Sequence, residues 1–369
     1  MASISQLPAG FESSNSLLSV LEITKQPLTS VPECFRTVEQ EPASSLFDDH
    51  KGTFPSIPSI DMTKLVKAEA SDFADELEKL HSTCKDWGFF ELVNHGVSPT
   101  LLEKLKHEIE EFFKLPLEEK MKYQVRPGEV EGYGPVVNTK NQKLDWGDRV
   151  YMITNPIHRR KPYLFPELPS SLRACARNTL DSYLLELDQL AMRLLGFMGK
   201  ALKIEMREIE EMFGDGMRSV RMTYYPPCPQ PEQVIGLSPH SDATGITILN
   251  QLNGVDGLQI KKDGVWMPVN FQKDAFVVNV GDSFEILSNG VYHSIEHRAM
   301  VNSEKERLSV AMFINPNFEA EIGPARSLIT PQNPPLFKRV GMEKYVNDFF
   351  SRYKLGGKSY LDEMKIQNP

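Results

Sequence analysis

The sequence is poor in cysteine and has no long apolar run. Its four cysteines include no CxxC or other close pair. This spacing excludes a zinc motif of paired cysteines and is typical of reduced thiols in an intracellular protein. There is no apolar stretch of about 18 residues and no signal-peptide pattern. We therefore expect a cytosolic protein without a membrane segment, and a share in the nucleus is compatible with the sequence.

Concentrated positive charge is also absent. The formal net charge is −9, and no basic run is longer than His158–Lys161. Because a nucleic-acid or anionic-membrane surface needs clustered lysine and arginine, we expect neither partner, and we expect a monomer.

Composition and hydrophobic periodicity divide the chain into distinct regions. Helical periodicity predicts helices over Phe73–Cys84, Leu101–Phe113, 171–203 and 341–354. Residues 124–170 have the composition of a long loop. The predicted regions are an N-terminal arm over 1–52, a mixed N-terminal region over 53–170, backing helices over 171–215, a strand-rich domain over 216–318 and a C-terminal helical lid over 319–369.

The strand-rich domain consists of short β-like segments separated by Gly, Asn, Asp and Pro. We expect strands at 221–225, 244–249, 257–261, 264–269, 275–280, 283–287, 291–300 and 307–315. Closely spaced strands of this kind predict a sandwich or a jelly roll.

A metal site is indicated by His240 and Asp242, which would share one face of a strand. A third ligand from a distant strand would complete two imidazoles and one carboxylate, the set that holds iron(II) in non-haem oxygenases. His297 and His293 both satisfy the spacing, and the turn signal at Asn289-Gly290 favours His297. An isolated His-x-Asp is usually an ordinary surface pair, so this motif needs support from elsewhere.

Two further strands could supply that support. In the predicted strand from Arg307, Arg307 and Ser309 share a face, and a guanidinium with a hydroxyl suits a carboxylate. On the strand from Arg221, Thr223 and Tyr225 likewise share a face. The alternatives are an arginine that merely begins an edge strand and a tyrosine that merely belongs to the core.

Taken together, the motifs make the chain similar to the plant iron(II)- and 2-oxoglutarate-dependent dioxygenases, from about Ile57 to Ile366. The blocks that carry the likeness are Trp87–Gly96, Tyr224–Pro229, His240–Asp242, Asn279–Asp282, Ser288–Gly290, Glu296–Arg298 and Arg307–Ser309. The tracts Glu131–Gly134, Gln142–Trp146 and Gly236–His240 resemble most the senescence-related-gene-1-like group, which includes codeine and thebaine O-demethylases.

This resemblance implies an α+β fold: a double-stranded β-helix (jelly-roll, cupin-like) core with flanking helices and an N-terminal cap of helices and strands. It implies iron ligation by His240, Asp242 and His297, and so selects His297 over His293. It also implies that Arg307 and Ser309 bind the C5 carboxylate of 2-oxoglutarate, assisted by Tyr225.

Two residues depart from the family pattern. His293 stands where Lys or Arg is usual, and Thr223 stands where an Asn near the co-substrate is usual. From related flavonoid-modifying enzymes, the resemblance implies that Tyr133, Arg221, Phe313 and Asn315 border the organic substrate.

The implied activity is an oxygenase that uses O2 and 2-oxoglutarate, with ascorbate as activator, and forms succinate and CO2. The expected partner is a small-molecule substrate, an alkaloid or methoxylated phenolic that is hydroxylated or loses an O- or N-methyl group. The alternatives are a hydroxylase that inactivates a plant hormone and a non-catalytic binder that has lost iron.

Overall fold

The computed structural model describes residues 19–37, 56–67, 69–135, 143–164, 170–270, 272–354 and 360–366. In these residues the α-helices are α1 Val20–Ile23, α2 Met62–Lys67, α3 Ala70–Asp86, α4 Pro99–Lys114, α5 Leu117–Met121, α6 Ser170–Leu202, α7 Met206–Phe213, α8 Asp282–Leu287, α9 Met342–Lys354 and α10 Leu361–Met364.

The strands of the described residues lie mainly in the second half of the chain. They are β1 Ser59–Asp61, β2 Phe89–Val93, β3 Gly132–Tyr133, β4 Asp148–Asn155, β5 Arg218–Tyr225, β6 Leu237–His240, β7 Ile246–Gln251, β8 Leu258–Lys262, β9 Val265–Pro268, β10 Phe276–Val280, β11 His297–Ala299, β12 Arg307–Ile314, β13 Glu321–Ile322 and β14 Val340–Gly341.

Two sheets form the core. The larger has eight strands in the order β1-β2-β10-β7-β12-β5-β4-β3, and the smaller has four in the order β6-β11-β8-β9. Phe89 and Val277 of the larger sheet pack with Leu258, Ile260 and Met267 of the smaller one. The sheets therefore face each other, and the predicted α+β fold with a jelly-roll core is confirmed.

The outer face of the larger sheet is covered by helices. Val310 and Met312 of β12 belong to the same buried cluster as Phe112 of α4 and Leu187 of α6. Since side chains alternate across a strand, Arg307, Ser309 and the other odd-numbered residues of β12 point to the opposite face, between the sheets. The predicted two-faced character of this strand is thereby confirmed.

The long helices follow their sequence signals. Helix α4 begins at Pro99, after Ser98, whose side chain accepts a hydrogen bond from the backbone N–H of Leu101. A Ser cap followed by Pro at the first helical position is a favoured helix start. Helices α3, α6 and α9 likewise coincide with the predicted helical segments.

Three segments differ in whole or in part from the predicted secondary structure. Residues 124–170 were expected to be mostly loop, yet β4 lies within them and its residues alternate between buried and half-buried. Residues 283–287 form helix α8 instead of a strand. Every residue of α8 is buried, Asp282, Ser283 and Glu285 included, and its 6 residues are too few to display a helical period in sequence. Within 291–300, only β11 is a strand.

The described part of the predicted arm packs against the body. Val20 and Phe35 share a buried cluster with Leu144, Trp146 and Val234. Residues 1–18 and 38–52 of the predicted arm lie outside the described residues. Among the described helices, none is both long and apolar enough to cross a membrane.

Candidate active site

A cluster of three possible metal ligands lies between the two sheets. One ligating atom from each of His240, Asp242 and His297 falls within 4.8 Å of the others. The Nε2 atoms of His240 and His297 are 3.5 Å and 3.8 Å from Oδ1 of Asp242. This is the only such group that the described residues form.

Both imidazoles are oriented by backbone carbonyls. Nδ1 of His240 lies 2.8 Å from the carbonyl oxygen of Ser238, and Nδ1 of His297 lies 3.1 Å from that of Ile295. A carbonyl oxygen can only accept, so each Nδ1 carries the proton and each Nε2 keeps its lone pair. Second hydrogen bonds of this type orient histidines that bind metals.

The carboxylate of Asp242 is fixed in the same way. Its Oδ2 accepts hydrogen bonds from Thr247 Oγ1 at 2.6 Å and Asn279 Nδ2 at 2.8 Å. Thr247 and Asn279 are directly opposite each other on β7 and β10. The larger sheet therefore holds one oxygen and leaves Oδ1 directed at the two imidazoles.

Electrostatics favour an ionised Asp242 and a neutral His297, whereas at His240 the effect of burial is outweighed by the hydrogen bond and charge of Asp242, which raise its pKa. Burial opposes ionisation of Asp242, but the charges of His297 and His240 outweigh it and hold the pKa of Asp242 well below its usual range. Burial, reinforced by the charge of His240, lowers the pKa of His297 to about 4. The site thus presents an ionised carboxylate beside a neutral imidazole, a donor set that fits iron(II).

The backbone brings these residues together differently from the sequence prediction. Strand β6 ends at His240, so Asp242 lies beyond the strand rather than on its face. The carbonyl of Asp242 accepts the backbone N–H of Asp282 at 2.7 Å, which anchors this turn against α8. His293 is exposed and lies outside the cluster.

On the inner face of β12, Arg307 is a buried guanidinium on which the charge of Asp256 acts without a direct ion pair among the described residues. It is 2% exposed, its Nε–H has no hydrogen-bond partner, and the described residues offer it no salt bridge. One Nη of Arg307 lies 3.4 Å from Ser309 Oγ and the other 3.5 Å from Gln251 Oε1. Because an unpaired buried charge is costly, this arrangement fits a bound carboxylate.

Tyr225 and Thr223 lie on the same inner face. Tyr225 is directly opposite Arg307, and Thr223 is directly opposite Ser309, in the antiparallel pair of β5 and β12. The Arg307 guanidinium lies over the Tyr225 ring, 5.2 Å from its centroid. The structure thus brings these four residues, predicted to bind the co-substrate, into one group.

Of the predicted substrate residues, Arg221 and Phe313 also share this inner face. Tyr133 does not: it pairs with Val150, and its side chain belongs to the cluster on the helix-covered side. Its hydroxyl donates to Asp148. Asn315 follows the last residue of β12 and is buried. Its backbone N–H donates a hydrogen bond to the carbonyl of Met217.

Strand β4 adds residues that sequence reasoning missed. Tyr151 is directly opposite Arg221, Arg149 is directly opposite Thr223, and the Tyr151 and Phe313 ring centroids are 6.3 Å apart. The alternation of charged or aromatic with aliphatic residues from Arg149 to Met152 is the signal that could have revealed this strand. No sequence pattern distinguishes Thr247 and Asn279, because their role in holding Asp242 depends on the pairing of β7 with β10.

A jelly roll with two histidines and one carboxylate between its sheets, together with a buried inner-face arginine that could receive a carboxylate, is the arrangement of a non-haem iron oxygenase that uses a dicarboxylic co-substrate. Comparison with known proteins identifies the family. Residues 217–316 match the 2OG-Fe(II) oxygenase superfamily, and residues 57–169 match the family described as non-haem dioxygenase in morphine synthesis N-terminal.

The curated relatives match over nearly the whole chain. The oxoglutarate-dependent flavonoid 7-O-demethylase 1 of Ocimum basilicum is 47% identical over 95% of this chain and 91% of its own length. The codeine O-demethylase of Papaver somniferum is 46% identical over 95% of this chain and 96% of its own length. The chain therefore belongs to the 2OG-Fe(II) oxygenase superfamily, and iron(II), 2-oxoglutarate and O2 are its cofactor and co-substrates.

The solved structures agree with this assignment. The crystal structure of JOX2 in complex with 2OG, Fe and JA superposes with a TM-score of 0.81 at 33% identity, covering 95% of this chain and 98% of that one. The likeness to the senescence-related-gene-1-like group is confirmed, and a non-catalytic binder is no longer a competing interpretation.

Proposed function

We propose that this dioxygenase removes an O-methyl group from a small methoxylated plant metabolite. The flavonoid 7-O-demethylase and the codeine O-demethylase among its relatives support this reaction class. The observation that carries the co-substrate half of the proposal is the buried Arg307, which lies beside Ser309 and whose Nε–H has no hydrogen-bond partner. An N-methyl group or an unactivated C–H bond would be oxidised by the same chemistry.

The ligands of the metal in this proposal are His240, Asp242 and His297. Bound iron(II) supplies the oxidising centre that couples decarboxylation of 2-oxoglutarate by O2 to hydroxylation of a C–H bond. Thr247 and Asn279 hold Asp242 Oδ2, so its Oδ1 stays aligned with both imidazoles.

Arg307 and Ser309 would bind the C5 carboxylate of 2-oxoglutarate, with one charged and one neutral donor. Tyr225 packs on the guanidinium and limits its motion. The hydroxyl of Thr223, opposite Ser309, would face the chain of the co-substrate. Arg221 and Phe313, farther along the same face, would border the organic substrate, and neither Tyr133 nor Asn315 is needed for that role.

The overall reaction balances for a methyl ether. One methyl ether, 2-oxoglutarate and O2 give the free hydroxyl compound, formaldehyde, succinate and CO2, because the hydroxylated methyl group leaves as formaldehyde. A panel of methoxylated phenolics and alkaloids, assayed with iron(II) and ascorbate for succinate and formaldehyde in equal amounts, tests the proposal. Succinate without formaldehyde for every methoxylated compound would contradict O-demethylation.

Hydroxylation of a plant hormone is the second candidate. The observation that favours it is the likeness to JOX2, whose crystal structure contains JA together with 2OG and Fe. A product that gains one oxygen atom and releases no formaldehyde would favour this candidate over the first.

A further inference from the structure

Besides the active-site cleft, the described residues form a cavity near the C-terminal end of the chain. Its volume is about 520 Å³, within the range of cavities that hold a small organic molecule. None of the residues that line it belongs to the metal cluster or to strands β5 and β12. The cavity is therefore separate from the iron and co-substrate sites.

Hydrogen bonds to the end of α8 hold the backbone around this cavity. Asn289 accepts the N–H of Leu336 at 2.8 Å and donates to the carbonyl of Pro334 at 3.0 Å. The carbonyl of Leu287 accepts the N–H of Ala325 at 2.9 Å. Asn289 is buried, so water does not compete for its hydrogen bonds. The segments on both sides of the cavity are thus fixed to one buried helix, and the cavity is formed before any ligand binds.

Three cationic side chains line the cavity: Arg326, Lys338 and Arg339. Among the described residues, none that lines it is acidic, and none forms a salt bridge with these three cations. One Nη of Arg339 donates to the carbonyl of Pro324, and Nζ of Lys338 donates to the carbonyl of Glu363 at 2.8 Å. Both acceptors are neutral, so they orient the two cations and leave their charges uncompensated.

Carboxylates on neighbouring helices reduce this positive charge but do not cancel it. Glu208 of α7 uses both oxygens to accept backbone N–H groups, from Arg326 at 2.6 Å and from Ser327 at 3.1 Å. Asp362 and Glu363 of α10 are exposed, and solvent and salt screen exposed charges. One fixed carboxylate beside three cations leaves the cavity positively charged.

The remaining lining of the cavity is apolar. It includes Ile329, Phe337 and Ile366, together with two prolines. Phe337 is buried and packs in one cluster with Ile286 and Tyr345, whereas the side chain of Ile366 is 40% exposed. Apolar surface that borders solvent beside a group of cations is complementary to a molecule with an apolar body and an anionic end.

We infer that this cavity binds a small organic acid, with its carboxylate at Arg326, Lys338 and Arg339 and its apolar body on Ile329, Phe337 and Ile366. Guanidinium groups match a carboxylate with paired N–H donors, and burial of the apolar body adds to the affinity. A free acid is favoured over an anionic membrane because the site is concave and the chain carries a net charge of −9, which opposes attraction to an anionic surface.

The test uses probes that share an apolar body and differ in charge. They are 1-naphthoate, its neutral primary amide and protonated 1-naphthylmethylamine, with decanoate as an aliphatic acid. Calorimetry measures their binding to the full-length protein loaded anaerobically with iron(II) and 2-oxoglutarate, so that the metal and co-substrate sites are filled. We expect an acid to bind about tenfold more tightly than the amide, and the amine to bind most weakly.

Variants assign this binding to the cavity. Arg326→Gln and Arg339→Gln should each weaken binding of the acid about 3- to 10-fold, and the double variant about 10- to 100-fold, with the amide nearly unchanged. Both arginines are exposed, so the variants should keep the thermal unfolding temperature of the parent protein. Arg193→Gln, at an exposed arginine of α6, is the matched control. The KM for 2-oxoglutarate should not change in the double variant.

Three results would overturn the inference: failure of both acids to bind, an amide or amine that binds as tightly as the acid, or acid binding that is unchanged in the folded double variant. Sedimentation with phosphatidylglycerol vesicles, with phosphatidylcholine vesicles as the control, tests the membrane alternative. Vesicle binding that the double variant loses, without binding of either free acid, would replace the organic acid by a lipid surface.

Discussion

The imidazole rings of His240 and His297 lie side by side, with 4.3 Å between their centroids. The two residues are directly paired across the antiparallel strands β6 and β11. This pairing presents both Nε2 atoms to the same oxygen of Asp242, although the residues are far apart in the chain. The geometry of the metal site is therefore a consequence of strand register.

His297→Ala should abolish stoichiometric iron binding, because one of three ligands is removed. His293→Ala should retain it, since His293 is exposed and outside the cluster. The iron content of each variant after anaerobic loading and desalting measures its iron binding. Loss of iron in His293→Ala with retention in His297→Ala would reverse the ligand assignment.

Thr247→Val should weaken iron binding about 10- to 100-fold, the usual effect of losing a hydrogen bond that orients a ligand. Valine keeps the shape of threonine but removes the 2.6 Å hydrogen bond to Asp242 Oδ2. Anaerobic titration with iron(II) measures the affinity, and Thr63→Val, at an exposed position, is the control. Unchanged affinity would show that Asn279 alone suffices to hold Asp242.

Arg307→Gln should raise the KM for 2-oxoglutarate by about 10- to 100-fold or more, because a charged hydrogen-bond donor is lost. Ser309→Ala should raise the KM for 2-oxoglutarate only about 2- to 10-fold, because a neutral hydroxyl forms a weaker hydrogen bond with a carboxylate than a charged guanidinium does. Succinate formation at varied 2-oxoglutarate gives both values. An unchanged KM in Arg307→Gln would place the co-substrate carboxylate elsewhere.

Gly257→Ala should also impair 2-oxoglutarate binding. A Cβ at this position would lie 2.7 Å from the carbonyl oxygen of Met300 and 3.0 Å from Cδ of Arg307. Either the backbone or the arginine must move, and we expect a several-fold rise in the KM for the co-substrate. Gly341→Ala, where a Cβ meets no atom within 4 Å, is the matched control.

Asp148→Asn should destabilise the fold by about 1–3 kcal/mol, the effect of disturbing a buried hydrogen-bond network. Asp148 accepts hydrogen bonds from the Ser19 hydroxyl, the Tyr133 hydroxyl and the N–H of Val20, so it ties α1 to β4. Chemical denaturation measures the free energy of unfolding. The exposed Asp263→Asn is the control, and equal stability of the two variants would contradict the role of Asp148.

Local patterns predicted a large part of this protein. The strand predicted from the alternation of Arg307 to Phe313 is confirmed. Its two faces meet chemically different surroundings, with helices on one side and the cleft on the other. Helix α4 was predictable from its own cap and periodicity. Strand β4 was missed because the charged Asp148 and Arg149 at its start mask the β-like alternation that follows.

What the sequence determined by itself is the chemistry available: two histidines and a carboxylate, an arginine with a serine at strand spacing, and enough apolar residues in short strands for a jelly roll. The tertiary structure decided which of these groups meet. It paired His297 with His240 and left His293 exposed, placed Asp242 beyond its strand, and set Arg149 beside Arg221. Periodicity is a local property that a sequence displays directly, whereas strand register depends on contacts between distant residues that only folding establishes.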